Sequence, residues 1–451
     1  MNDATSRMTR RKFFGTAAAA AASGAVAGGP AIPGYCQDKV PQKSTVFPSG
    51  QMFASPTFDY TARAVLGTAY YGCANPGKVF AVASNIQDGD YESAYRAFFN
   101  AGNEAKGWAD EAAEKHRRVS AREAYLWAAN YLYASLYFLD GTADTSRMLP
   151  AWKQYESCWA AAAALTTPAI ERVEISYENS TLTGWFFRAS GAKKRRPLVI
   201  LNNGADGSEL DMLVAGGIAG TARGYNCLAF NGPGQGDSLW LKKMHFRPDW
   251  EKVITPVVDF AVAHPEVDAK RIALVGISQG GYWVPRALAF EHRIAAGVAD
   301  PGVWDVGRAW TGRMPSSMLQ LLNGGAKEEF DKNMAMALQS SPEVRAVLAF
   351  RMRPYGTDSC YEAFRAAQHY NLKDVAGRIQ CPMLITNPEA EQFFPGQPKE
   401  LYDMLRCPKT LMTFTAEQGA QLHCEVNAPG YRDFRIYDWL DQILKGRRES
   451  H

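Results

Sequence analysis

The chain has 451 residues, 47% of them apolar and 12% aromatic, enough for a packed interior and too many for a disordered chain. That length is large for one core, so one big domain with a substantial addition, or two domains, is expected. Its charge of +3 comes entirely from the N-terminus, where Arg7, Arg10, Arg11 and Lys12 face only Asp3, and the neutral remainder offers nothing to a nucleic acid or an anionic membrane.

Residues 1–27 resemble a twin-arginine export signal. Thr9-Arg10-Arg11-Lys12-Phe13-Phe14 precedes an alanine-rich run, Ala17 to Ala22, and Ala25-Val26-Ala27 offers a small-residue cleavage site. The expectation is a periplasmic or secreted protein with no membrane insertion once the signal is removed. The run is too short to span a bilayer, and nowhere later do 18 apolar residues follow one another. Residues 28–75, rich in Pro, Gly, Ser and Thr, read as a linker and irregular arm. A helical cap domain is expected over 76–168. Tyr91, Ala94, Tyr95, Phe98 and Phe99 recur at helical spacing, and Ser120-Ala-Arg-Glu123 reads as a capping box opening a second helix striped with Leu126, Ala129, Tyr133 and Leu136. A third helix runs through Trp152, Tyr155, Cys158, Trp159 and Ala163. The aromatic residues of these helices serve helix packing or roof a site.

From residue 169 the pattern changes. Glu171 to Tyr177 and Leu182 to Phe187 form a hairpin around Glu178-Asn179-Ser180. Apolar strands follow at Leu198 to Leu201, Cys227 to Phe230, Ile272 to Val275, Ile294 to Val298, Pro382 to Thr386 and Thr410 to Phe414, alternating with helical stretches such as 249–263 and 431–444. Strands alternating with helices give an α/β fold with a mostly parallel, doubly wound sheet over 169–447. Residues 305–375, rich in Met and Ala, interrupt that alternation as a helical insertion.

The chemistry is carried by Gly276-Ile277-Ser278-Gln279-Gly280, between an apolar strand and a helix. A serine on such a sharp turn has its hydroxyl exposed above the sheet, and the N–H of Gln279 is free to hold an oxyanion. A serine hydroxyl needs a base and a group to orient that base. For this elbow the chain order is nucleophile, acid, histidine. Of the seven histidines, His423 alone follows the last strand in a loop, since His292 follows the nucleophile helix, His369 lies in the insertion and His451 is the last residue. The acid belongs in Asn387-Pro-Glu389-Ala-Glu391-Gln-Phe-Phe-Pro395, where a register four residues before a proline selects Glu391 and leaves Glu389 as the rival. Asn203-Gly204-Ala205-Asp206 follows the first apolar strand, and Ala205 is the candidate second oxyanion donor, with Asp206 turned away or toward substrate. Tyr282, Trp283, Trp240, His245 and Asp300 are candidate substrate contacts in an aromatic-walled pocket, with Trp304 and Asp305 beyond them. The eight cysteines show no metal-ligand spacing, and neither a metal nor another cofactor is expected. Export permits disulfides, but no pairing can be read. Cys227 and Cys381 read as core residues, and Tyr35 beside Cys36 argues against a lipid anchor.

Phe230-Asn-Gly-Pro-Gly-Gln-Gly236, the Ser278 elbow and Gly419-Ala-Gln-Leu-His-Cys424, behind a helical N-terminal domain, together resemble one family over roughly residues 80–445. It comprises the α/β-hydrolases that include 2,6-dihydroxypseudooxynicotine hydrolase, the fungal polyketide-shortening hydrolases and the FrsA-like esterases. The resemblance implies a Ser–acid–His triad on Ser278 and His423, a cap over the cleft, and cleavage of an ester or of a C–C bond next to a ketone. The expected partner is a small-molecule acyl or aryl-ketone substrate, with a homodimer left open. Asn-Pro-Glu-Ala-Glu stands where members carry His-Gly-x-x-Asp, which keeps the acid's identity open. Two other readings compete: a peptidase related to prolyl oligopeptidases, which the helical rather than propeller-like N-terminus disfavours, and a non-catalytic binding protein on the same scaffold.

Overall fold

The computed structural model describes residues 51–191 and 195–445. The export-type segment, the first part of the arm, Cys36 and His451 lie outside the described residues. The centre is an eight-stranded sheet in the order β1-β2-β4-β3-β5-β6-β7-β8. Its strands are β1 (Glu171–Tyr177), β2 (Ser180–Phe187), β3 (Arg196–Asn202), β4 (Asn226–Phe230), β5 (Val267–Ile277), β6 (Ala296–Asp300), β7 (Met383–Pro388) and β8 (Lys409–Phe414). β1 and β2 pair antiparallel through a turn at Glu178 and Asn179, and β2 runs antiparallel to β4. Every other pair is parallel. β3 from Leu198 to Leu201 and β5 from Ile272 to Val275 are apolar and buried because helices cover both faces, as buried parallel strands require. Their register sets Asn202 beside Gly276, and that of β5 and β6 sets Ile277 beside Asp300. The loops leaving β3, β5 and β6 therefore share one rim at the carboxyl ends of the strands.

Five helices precede the sheet: α1 (Pro56–Gly67), α2 (Pro76–Ala83), α3 (Tyr91–Glu114), α4 (Arg118–Leu139) and α5 (Met148–Leu165). α1 corrects the expectation of an irregular arm. Pro56 at its first turn suits a helix start, and Phe58, Ala62 and Val65 recur on its buried face. The expected capping box at Ser120 does not form. α4 begins three residues earlier than that box requires, with Arg117 at its N-cap, so Ser120 falls inside the first turn. α3 has a side-chain cap, Asp90, which accepts from the N–H groups of Glu92 and Ser93.

The five helices and the sheet share one core. Phe58, Phe98, Trp152 and Trp159 belong to the same buried cluster as Trp185, Val199, Leu201 and Val275, with Trp159 and Trp185 in edge contact at 5.4 Å. The other face of the sheet packs Trp250, Val257, Tyr282, Trp283 and Leu288. The insertion is helical, including Lys327–Ser340, Pro342–Met352 and Cys360–Ala367, and has a small core of its own around Met318, Leu322, Phe330 and Phe364. Cys227 is buried in β4, whereas Cys381 precedes β7 and is only half-buried.

Candidate active site

β5 ends in a turn that only a few residue types can build. Ser278 has φ +57°, a left-handed conformation that costs a non-glycine residue on the order of 1 kcal/mol and persists where the surroundings impose it. The turn is closed so tightly that a Cβ on Gly276 would meet the Gly280 carbonyl oxygen at 2.2 Å, and one on Gly281 would meet the Pro301 carbonyl oxygen at 1.8 Å. The Ser278 N–H donates to the Asp300 carbonyl at 2.6 Å, fixing the elbow to β6.

A continuous hydrogen-bonded chain leads away from the Ser278 hydroxyl. His423 Nε2 is 2.8 Å from Ser278 Oγ, and His423 Nδ1 is 2.8 and 3.0 Å from the two carboxylate oxygens of Glu391. One Glu391 oxygen also accepts from the N–H groups of Phe393 and Phe394, at 2.8 and 2.9 Å, which fixes the carboxylate. His423 and Glu391 are both buried. Glu389 is exposed and accepts instead from the Ala416 N–H, so the structure brings Glu391 and not Glu389 to the imidazole. Burial disfavours the charged form of His423. Contact with Glu391, and the nearby Asp300 and Asp206 carboxylates, outweigh it and hold the imidazole pKa above its ordinary 6.5.

The loop after β3 closes over the same hydroxyl. A Cβ on Gly204 would lie 2.7 Å from the Ser278 Cβ, so only glycine admits this approach. Among the described residues, the N–H groups of Gln279 and Ala205 donate to no partner, which is the condition for holding an oxyanion. Gln235, from the Gly-Pro-Gly-Gln-Gly stretch, braces the loop by donating to the carbonyls of Asn203 and Gly204 at 3.1 and 2.6 Å. That role was not visible in the sequence, although the residue lies in a motif that was.

The side chains around the elbow are not packed core: Tyr60, Tyr133, Tyr137, Arg351 and Tyr355 are half-buried and Asp206 is exposed, so together they wall an accessible chamber. The Tyr133 and Tyr137 hydroxyls donate to the Asp206 carbonyl at 2.8 and 2.9 Å, joining α4 to the loop after β3. The Tyr60 hydroxyl, from α1, donates to the His423 carbonyl at 3.3 Å. Burial pushes Asp206 up to about 6, with His423 pulling the other way. A surface cleft of about 570 Å³ between α2 and α3 shares no residue with this chamber and is bordered by solvated charges such as Lys78, Arg96 and Glu104.

Several expected substrate contacts are corrected. Tyr282 and Trp283 are fully buried, one donating to the Pro248 carbonyl at 2.9 Å and the other stacked on Trp250 at 4.2 Å. Both pack the nucleophile helix Gly280–Leu288 against the body and have no face left for a ligand. Asp300 is fully buried behind the elbow, where it accepts from the Thr386 hydroxyl at 2.7 Å and faces the carboxyl of Glu425. Burial raises both acids, and among the described residues one Asp300 oxygen and both Glu425 oxygens have no donor. His245 is exposed and packs on Gly356 of the insertion. Trp240 is half-buried between Trp152 and the Arg353 guanidinium. Tyr60, Arg351 and Tyr355 were missed, because α1 and the insertion carry no motif that marks them as facing the site. Among the described residues no group of His, Cys, Asp and Glu could hold a metal ion, and no helix is long and apolar enough to cross a membrane.

A strained serine at the carboxyl end of a central parallel strand, under such a sheet order, defines the α/β-hydrolase class. No family model matches the chain. It is, however, 31% identical over 432 residues to a hydrolyase of Penicillium oxalicum, spanning 88% of this chain and 100% of the relative. It is 30% identical over 428 residues to an α/β-hydrolase of Aspergillus fumigatus, spanning 88% and 96%. The solved structure of 2,6-dihydroxy-pseudo-oxynicotine hydrolase superposes with a TM-score of 0.67 at 18% identity, over 84% of this chain and 95% of that one. The chain belongs to the α/β-hydrolase family, and it is an enzyme, a hydrolase.

Proposed function

We propose that the protein is a serine hydrolase that opens a carboxylic ester, or a C–C bond next to a carbonyl, through an acyl-enzyme. The observation that carries this reading is the hydrogen-bonded chain Ser278–His423–Glu391 beneath two undonated amides. Ser278 Oγ attacks the carbonyl carbon while His423 Nε2 takes the hydroxyl proton, and Glu391 holds the imidazolium. The oxyanion accepts from the N–H groups of Gln279 and Ala205. Collapse of the intermediate breaks the bond to the leaving group, which takes the proton from His423 as an alcohol or as a carbanion equivalent. Water, losing a proton to His423, then releases the acid and restores Ser278. The same groups serve both leaving groups.

The substrate is a small organic acyl or aryl-ketone compound, which the tyrosine-walled chamber favours over a polypeptide. The twin-arginine-type segment supports export to the periplasm or the medium, to be read from cell fractionation with and without Arg10→Lys and Arg11→Lys.

The test is intact-mass labelling with a neutral fluorophosphonate. Wild type gains one adduct, while Ser278→Ala and His423→Ala gain none; a folded wild type that stays unlabelled sinks the reading in favour of a binding protein. Product analysis on aryl-ester and aryl-ketone panels then identifies the bond cleaved, and turnover of dipeptide anilides alone would mean a peptidase.

A further inference from the structure

The loop that carries Ala205 is held from two sides, and the second side belongs to the N-terminal helices. Its ends close on the Asn203 side chain, which accepts from the Gly204 N–H at 2.8 Å and donates to the Ser208 carbonyl at 2.9 Å. A Cβ on Gly207 would meet Asn203 Oδ1 at 2.1 Å, so the turn wraps tightly round that amide. The tip is left outside this knot, half-buried at Ala205 and exposed at Asp206. On the near side, Gln235 fixes the Gly204 carbonyl at 2.6 Å, and that carbonyl shares a peptide unit with the Ala205 N–H. On the far side, the Asp206 carbonyl accepts from the Tyr133 and Tyr137 hydroxyls at 2.8 and 2.9 Å. Among the described residues no other donor reaches it.

The plain reading of such contacts is a tie between a helix and a loop. One donor satisfies a carbonyl, however, and a single bond leaves it free to swing. Two hydroxyls from positions i and i+4 of one helix face fix its direction. Their rings are fixed in turn. Tyr133 meets Tyr155 edge-on at 4.8 Å, while Tyr137 meets Tyr133 at 5.7 Å and Phe350 of the insertion at 5.7 Å. Tyr155 also donates to Glu209, the first residue of the short helix Glu209–Met212 that ends the loop. Three tyrosines of α4 and α5 thus hold one segment, 206–209. That segment continues from Gly204, whose backbone approaches Ser278 so closely that an added Cβ would lie 2.7 Å from the serine Cβ. An oxyanion donor is effective when it is aimed before the charge develops.

We propose that Tyr133 and Tyr137 are positioning residues of the oxyanion site: by fixing the Asp206 carbonyl they aim the Ala205 N–H at the oxygen of the attacked carbonyl. This rests on the reading of Ser278 as the nucleophile. The N-terminal helices therefore act on the transition state, and their two hydroxyls back one another, so that losing both costs more than the two single losses combined.

Saturation kinetics of fluorophosphonate labelling test it, because the phosphonyl oxygen takes the place of the oxyanion and KI separates from kinact. Tyr133→Phe and Tyr137→Phe each lower kinact by roughly threefold, and the double variant lowers it by roughly a hundredfold, with KI little changed. Phenylboronic acid adds to the serine hydroxyl and sets a boronate oxygen against the same amides. Its protection against labelling weakens in the double variant by a factor similar to the fall in kinact. A double variant that is folded by its urea transition and keeps wild-type kinact, or wild-type protection by the boronic acid, makes the tyrosines a structural tie and overturns the proposal. So does a loss expressed in KI alone. Should the double variant fail to fold, the single variants decide, and wild-type kinact in both overturns it. A wild type that the fluorophosphonate never labels overturns the serine reading instead.

Discussion

In the proposed mechanism His423 is a base only while neutral, and its surroundings favour the charged form. Glu391 in contact, with Asp300 and Asp206 beyond, raises its pKa above the ordinary 6.5 despite burial. The charged imidazolium therefore persists to higher pH than in a free histidine, and kcat/KM falls as pH drops through a value above 6.5. Glu391→Gln removes the largest of the raising influences. Its acid limb shifts to lower pH, while kcat falls by about 10⁴, because an amide no longer fixes the tautomer or stabilises the imidazolium. Glu389→Gln, by contrast, leaves both the rate and the limb at wild-type values, since that carboxylate caps the Ala416 N–H at the surface. A pH–rate profile of the three proteins on one ester checks this; an unshifted limb in Glu391→Gln would remove Glu391 from the site.

Two loops meet at the elbow, and the second depends on a third. The Gln235 side chain holds the Asn203 and Gly204 carbonyls, and its own carbonyl accepts from the Gly232 N–H at 2.9 Å, so one amide ties the loop after β4 to the loop after β3. Gln235→Leu leaves the buried Gly204 carbonyl and the Gly232 N–H without partners, while the Asn203 carbonyl keeps the Asn202 side-chain amide at 2.9 Å; the loss is about 1–3 kcal/mol for each unpartnered group in full desolvation. The expected result is lower stability in urea together with a kcat reduction of about tenfold or more at little changed KM, because the Ala205 N–H is no longer aimed. A variant that loses stability but keeps kcat would make Gln235 a purely structural tie. At this scale most of the sheet was legible. β1 begins and ends where the alternation of Glu171 to Tyr177 places it, and the glycines around Ser278 announce their turn, because these are local signals. α1 was hidden by its flanks: Pro and Ser on one side and a Gly-rich stretch on the other look like loop, although the stripe Phe58, Ala62, Val65 is helical. Tyr282 and Trp283 misled for a different reason. Adjacency to a nucleophile in sequence is not adjacency in space when the next residues start a helix whose inner face is core.

Taken as one molecule, the N-terminal helices are not a detachable roof. The cluster that includes Phe58, Phe98 and Trp159 runs without a break into Trp185 of β2 and Leu201 of β3. Burial of a Trp or Phe side chain removes about 150–250 Å² from water, worth roughly 4–6 kcal/mol at 25 cal/mol per Å². Polar ties cross the same junction: the Tyr71 hydroxyl donates to Asp433 at 2.7 Å, and that of Tyr155 to the buried Glu209. The insertion differs, because its residues Met318, Leu322, Phe330 and Phe364 form a separate small cluster. Cooperative units follow contiguous cores, so helices α1–α5 and the sheet unfold together, while the insertion opens at lower cost. In urea, tryptophan fluorescence and retained labelling at Ser278 are expected to lose signal in coincident transitions. Hydrogen exchange is expected to be faster across Ser316–Ser340 than across Ala121–Leu139. A fragment beginning at residue 169 exposes Trp185 and its neighbours and is expected to be insoluble. A soluble fragment with its own cooperative transition would show that the helices form an independent domain. Access to the chamber would then come from movement of the whole cap, whereas a shared core confines it to the insertion that carries Arg351.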